Sequence, residues 1–136
     1  YKAADNGVKI KMIVRGICCL IPTQHKNIKI ISIIDRFLEH TRIFIFNNNK
    51  KNETYISSAD WMTRNLDNRV EVTCPIHDSK IKKEINDIFN IYWSDNVKSR
   101  LINQKDANVY KSDIKKSNSI RSQLEIYNYY KSKIEN

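Results

Sequence analysis

The stretch I-K-I-I-S-I-I-D-R-F-L-E-H-T-R-I-F-I-F (Ile28 to Phe46), followed after a polar turn by T-Y-I-S-S-A-D-W-M-T-R-N (Thr54 to Asn65), organises this chain. Two apolar runs, Ile28 to Ile34 and Ile43 to Phe46, bracket a polar cluster of Asp35, Arg36, Glu39, His40, Thr41 and Arg42. A third run, Thr54 to Ser57, delivers Ser58, Asp60, Trp61, Arg64 and Asn65. Apolar β-formers that end in a histidine, arginines and small hydroxyls predict buried strands presenting a polar site.

Working outward, Tyr1 to Asn6 reads as the end of a helix stopped by Gly7, and Val8 to Val14 as a strand with Arg15 and Gly16 at its exit. Ile17 to Leu20 continues apolar, and the segment from Ile21 to Asn27 is a polar loop. Asn47 to Asn52 predicts a hairpin turn, and Val70 to Cys74 a strand stopped by Pro75. Asp78 is placed to cap a helix from Ser79 to about Trp93, with Ile81, Ile85, Ile88, Phe89 and Tyr92 at helical spacing. Val97 to Tyr110 is polar and irregular, with room for a short extended piece. Ser117 or Ser119 is the expected cap of a last helix carrying Ile120, Leu124, Tyr127 and Ile134 on one stripe. This rhythm predicts an α/β fold with a mixed β-sheet flanked by helices, and one domain over residues 1–136.

Composition narrows the partners. Lys and Arg number 24 against 15 Asp and Glu, a formal charge of +9, which favours nucleic acid, an anionic membrane surface, phosphorylated metabolites or a mineral polyanion. Cys18, Cys19 and Cys74 are odd in number and lack C-x-x-C spacing, so reduced thiols and a cytoplasmic setting are expected. No run approaches the roughly 18 apolar residues of a membrane helix. The chain opens at Tyr1 without a methionine, and the expectation is a segment of a longer protein.

Candidate chemistry centres on Arg15 and His40. An arginine at a strand exit beside Gly16 offers a rigid fork of donors suited to phosphate oxygens, against the plainer alternative of a surface ion pair. His40, flanked by Arg36 and Arg42, has the chemistry to bind phosphate, transfer a proton or attack phosphorus, although a lone histidine is more often structural. His25 and His77 sit in loop-like contexts without such neighbours. Five of the seven arginines (Arg15, Arg36, Arg42, Arg64 and Arg69) fall within about the first half, next to predicted strand ends, where they would repel one another without an anion between them. Asp35, Glu39, Asp60, Asp67 and Glu71 are the groups available to neutralise them. No phosphate-binding glycine loop or metal-ligand spacing occurs.

Four runs go further: I-V-R-G-I-C-C-L (Ile13 to Leu20), S-I-I-D-R-F-L-E-H-T-R-I-F-I-F (Ser32 to Phe46), Y-I-S-S-A-D-W-M-T-R-N-L-D-N-R-V-E-V (Tyr55 to Val72) and R-S-Q-L-E-I-Y (Arg121 to Tyr127). Together they closely resemble the C-terminal domain of the long, four-domain bacterial polyphosphate kinase, in the right order and over essentially the whole chain. The resemblance implies a phospholipase D-like fold and an enzyme that moves the terminal phosphate of ATP to and from inorganic polyphosphate. It further implies magnesium, ligated through a domain not in this chain, and a phosphohistidine on the preceding domain. ATP or ADP and polyphosphate are then the partners, together with the remaining domains of the same enzyme. A homo-oligomer, peripheral membrane association and no nucleic acid are also expected of the intact enzyme.

By the same resemblance, Arg15 matches an arginine that contacts nucleotide phosphates, and His40 the second functional histidine. Arg42, Ser58, Asp60, Arg64 and Asn65 are further candidates for the pocket wall. Against the wider phospholipase D pattern of H-x-K followed by S-x-N, this chain has His40-Thr41-Arg42 and Ser58-Ala59-Asp60, and both departures argue against hydrolase activity. The isolated chain is expected to fold without making polyphosphate. The competing classes are a non-catalytic polyanion or nucleic-acid-binding module and a phospholipase D-like nuclease.

Overall fold

The computed structural model describes residues 1–22, 25–103, 109–111 and 119–135. The chain divides into two compact units, one made of Tyr1–Glu39 with Asn90–Asn136, the other of His40–Phe89. The second is thus an insertion in the sequence of the first.

The first unit is built on β2 (Ile28–Ile33), paired in parallel with β1 (Ile10–Ile13) and antiparallel with β6 (Ser99–Leu101). This is the mixed sheet expected from the sequence. Its register sets Ile10 beside Ile28 and Ser32 beside Arg100. Ile28 and Ile30 are buried on one face with Ala4 of the short helix α1 (Lys2–Asp5), and Ile10, Met12, Val14, Leu20 and Ile102 pack around them. Ile31 and Ile33 are buried as well, so the central strand is covered on both sides, which is why its sequence reads as a nearly unbroken apolar run. Gly7 ends α1 with φ at +87°, a conformation that costs a glycine little.

The second unit holds an antiparallel sheet in the order β3 (Ile43–Phe46), β4 (Glu53–Ser57), β5 (Thr73–Ile76). The β3–β4 hairpin turns through Asn48, Asn49 and Lys50, all with positive φ, where asparagine is the least disfavoured non-glycine residue. Two expectations need correcting here. The strands of this sheet are only partly buried: β3 is half-covered, Thr54 of β4 is buried, and Phe46 and Ile56 are exposed. The strand expected over Val70 to Cys74 instead runs from Thr73 to Ile76 and contains Pro75, which an edge strand tolerates because no further strand requires its missing N–H. Val70 and Val72 are exposed.

Two longer helices complete the fold. α3 (Ser79–Ser94) begins as the sequence predicts, with Asp78 Oδ1 accepting the backbone N–H groups of Lys80 and Ile81 at 2.8 and 2.9 Å. α4 (Ser122–Ile134), preceded by the short helix α2 (Thr63–Leu66) of the second unit in chain order, does not use a serine cap. Arg121 occupies the N-cap position without a side-chain cap, while Ser122 N–H donates to Asp95. Ser119 is exposed, and Ser117 lies outside the described residues. The apolar stripe expected on α4 is not a core: Leu124, Tyr127 and Ile134 are all exposed. Among the described residues no helix is long and apolar enough to cross a membrane.

Candidate functional site

In the first unit, the polar turn after β2 is tied to the start of α4. Arg121 donates to Asp35 through Nε at 2.8 Å and Nη2 at 2.6 Å, and the Asp35 side chain is almost wholly covered. The guanidinium holds the Asp35 carboxyl below its ordinary range, and it outweighs the opposing effect of burial. Gln123 clamps Phe37 and Glu39. Its Oε1 accepts the Phe37 N–H at 3.0 Å, and its Nε2 donates to the Phe37 carbonyl at 2.9 Å and to Glu39 Oε1 at 2.6 Å. Arg15, half-buried at the exit of β1, donates from Nη1 to the Glu39 carbonyl at 3.0 Å. A Cβ placed on neighbouring Gly16 would meet nothing within 4 Å, so the space at Gly16 itself is open.

In the second unit, the β3–β4 pairing brings H-T-R and S-S-A-D together: the Ser57 N–H donates to the Arg42 carbonyl at 3.0 Å. Arg42 Nε donates to Asp60 Oδ1 at 2.8 Å, and its Nη2 lies 3.1 Å from His40 Nε2. The hydrogen bond it donates to Asp60 holds the guanidinium above its ordinary value, with the charges of Asp60 and Glu71 adding to it against desolvation.

Glu71 joins the other candidates. Its two oxygens accept hydrogen bonds from the Ser58 hydroxyl and from Asn65 Nδ2, the latter at 2.7 Å. These bonds, Ser58 first, hold the Glu71 carboxyl below its ordinary value. Ser58 Oγ in turn accepts the Val72 N–H at 3.0 Å. Asn65 is buried, and its Oδ1 has no hydrogen-bond partner among the described residues.

Five expected site residues of this unit, His40, Arg42, Ser58, Asp60 and Asn65, are therefore joined through two small networks. Arg64 is exposed on α2. From the sequence, Glu71 is expected only as a neutralising charge, and Gln123 is not among the candidates. The signal for Glu71 is its place in R-V-E-V, two residues before β5; Gln123 lies in the R-S-Q-L-E-I-Y run, but no periodicity or spacing there sets it apart from its neighbours.

A family model described as "Polyphosphate kinase C-terminal domain 2" matches residues 1–123. The chain belongs to this family. The polyphosphate kinase C-terminal domain 2 pattern thus spans both units and every candidate residue above, and ends within the first turn of α4. The polyphosphate kinase of Vibrio parahaemolyticus is 50% identical over 136 residues, which are 96% of this chain and 19% of that protein. That of Escherichia coli strain K12 is 45% identical over 137 residues, 97% of this chain and 20% of its own length. The crystal structure of polyphosphate kinase from Porphyromonas gingivalis superposes with a TM-score of 0.93 at 46% identity, covering 98% of this chain and 21% of that one. The chain therefore spans about a fifth of the polyphosphate kinases it matches. The α/β, phospholipase D-like fold expected from the sequence agrees with this likeness.

Proposed function

We propose that this chain is the last catalytic domain of an ATP:polyphosphate phosphotransferase. The whole enzyme reversibly moves the terminal phosphate of ATP to inorganic polyphosphate through a phosphohistidine on the preceding domain. The observation that carries this reading is the likeness to polyphosphate kinases at 45–50% identity across at least 96% of the chain.

The chemistry of the residues supports it. Phosphoryl transfer asks a protein chiefly for positioning and for stabilisation of spreading negative charge. Arg15 is a half-buried guanidinium held at the end of a strand, suited to clamp phosphates of the nucleotide or the chain. His40 and Arg42 set an imidazole and a guanidinium side by side, suited to bind the transferring group and to accept or return a proton. Asp60 braces this pair through Arg42, Ser58 and Asn65 hold Glu71 in the same unit, and Arg64 adds an exposed charge on α2. The +9 charge suits a polyanionic substrate.

Among the described residues no group of three or more His, Cys, Asp and Glu is arranged to hold a metal ion. Magnesium is placed with the nucleotide and the preceding domain, and no step is assigned to a metal on this chain. The intact enzyme is read as a cytoplasmic homo-oligomer with peripheral membrane association, acting on ATP and polyphosphate and on no nucleic acid.

The test is turnover of the intact enzyme carrying Arg15→Ala or His40→Ala. Loss of most polyphosphate synthesis with ATP as donor is the expected result; activity within about twofold of the parent, well under the 1.4 kcal/mol that corresponds to a tenfold change, overturns both role assignments. The isolated chain, lacking the phosphorylated histidine, makes no polyphosphate.

A further inference from the structure

We propose that Arg42, braced by Asp60, is a positioning residue that holds His40 as the neutral tautomer with its single proton on Nδ1. Arg42 Nη2 and His40 Nε2 lie 3.1 Å apart. A guanidinium has five N–H donors and no acceptor, so a hydrogen bond across this distance requires the imidazole nitrogen to present its lone pair. An imidazolium, or the Nε2–H tautomer, would set one N–H against another. The proton of the neutral ring therefore sits on Nδ1.

The arginine is itself held. Its Nε donates to Asp60 Oδ1 at 2.8 Å, with the two side chains only 17% and 25% exposed. Asp60 is held in place by chain pairing, since the Ser57 N–H bonds the Arg42 carbonyl and the Ala59 N–H bonds Ser57 Oγ at 3.1 Å. The two departures from the phospholipase D pattern, Arg42 and Asp60, are thus partners of each other. A guanidinium can use one nitrogen for the aspartate and another for the histidine while its plane stays fixed, which a lysine ammonium on a flexible stem does not reproduce.

In this arrangement the one lone pair of His40 Nε2 is engaged by the Arg42 N–H, while Nδ1–H is the ring's donor. The tautomer follows from geometry alone and stands independently of the phosphotransferase reading, which concerns only what the histidine then does.

The test is ring-nitrogen NMR of this chain with isotope-labelled histidine, at a pH where the ring is neutral. The sequence holds three histidines, and the His40 signals are those missing from His40→Gln. The expected spectrum has His40 Nε2 in the unprotonated class and Nδ1 in the protonated class. Arg42→Ala moves His40 toward the Nε2–H form favoured by a free side chain, Asp60→Asn moves it part of the way, and Arg42→Lys restores some of the effect. His25 and His77 keep their signals and report an intact fold. A parent spectrum with His40 protonated on Nε2 overturns the proposal, and it decides the matter even where Arg42→Ala does not fold. An unchanged His40 signature in a folded Arg42→Ala chain overturns it too. Polyphosphate synthesis is not the readout, so a failure of the proposed activity leaves this test untouched.

Discussion

Asp95 Oδ2 accepts the backbone N–H of Ser122 at 2.7 Å, so the residue just after α3 satisfies the first turn of α4. Its Oδ1 meanwhile accepts the N–H groups of Val97, Lys98 and Ser99 at 2.9, 2.7 and 3.0 Å, and the residue is fully buried. One carboxylate thus turns the chain into β6 and places negative charge at a helix N-terminus, where it is favoured.

Replacing it exposes the cost. Asp95→Ala leaves several N–H groups without partners, and the loss is about 2–4 kcal/mol of stability, from the range for buried donors deprived of a charged acceptor. Asp95→Asn keeps one acceptor oxygen and loses less. Urea unfolding of the two variants beside the parent checks the order; an Asp95→Ala midpoint equal to the parent's contradicts it.

Acid acts through the same group and through Asp35. Burial opposes ionisation of Asp95, but the hydrogen bonds from the chain outweigh it, and both carboxyls sit below their ordinary values. A lowered folded value means the stabilisation is complete above the unfolded carboxyl value of about 3.9 and is lost as pH falls through the folded one. The urea midpoint is therefore expected to fall as pH drops below about 4, and to fall less steeply in Asp35→Asn, which has given up its share already. Parallel curves for parent and variant would remove Asp35 from this account.

The Gln123 clamp gives a prediction for activity. Gln123→Ala releases the backbone of Phe37 and the side chain of Glu39, whose carbonyl accepts the Arg15 bond. In the intact enzyme the expected result is several-fold weaker use of ATP, with a smaller effect on overall stability. Arg121→Lys tests the neighbouring link: a lysine keeps the charge but not the two-pronged contact with Asp35, so it falls between parent and Arg121→Ala in unfolding midpoint.

Glu71→Gln probes the second unit. The amide retains one acceptor oxygen but loses the charge that receives both Ser58 and Asn65, and Asn65 is buried. Faster amide exchange around Ser58 and Asn65 is expected, with the β2 amides of the other unit unchanged. Equal exchange in parent and variant would mean that Glu71 is not what orders this corner.

Much of this architecture was legible in local pattern. The run Ile28 to Ile34 is apolar on both faces because β2 is central, and that alone identifies it. Asp78 lies just before the amphipathic stretch of α3, so a cap could be read without any distant partner. Pro75 misled because a proline argues against a strand interior, and edge position is not visible in sequence. The expected serine cap of α4 failed for a related reason: the group that serves it, Asp95, is 27 residues away.

The site shows the same division. Arg42 and His40 are two residues apart, so their proximity follows from extended chain. Ser58 and Asp60 came with the hairpin that the Asn-rich turn announced. Glu71, joined to Asn65 six residues earlier, and Gln123, joined to Glu39 at a separation of 84, depend on tertiary contacts that no periodicity reports.

The insertion of one unit within the sequence of the other has a consequence for how the chain is made. Ser32 of β2 pairs with Arg100 of β6, so one edge of the central strand waits for residues synthesised much later. At roughly 5–20 residues per second, a ribosome leaves that edge unpaired for on the order of several seconds. The inserted hairpin, whose partners are near neighbours in sequence, can form during the wait, whereas the first sheet closes only after a long loop has been drawn together. A nascent chain halted before β6 thus carries an open apolar strand edge, and chaperone dependence of synthesis is expected to peak over that interval.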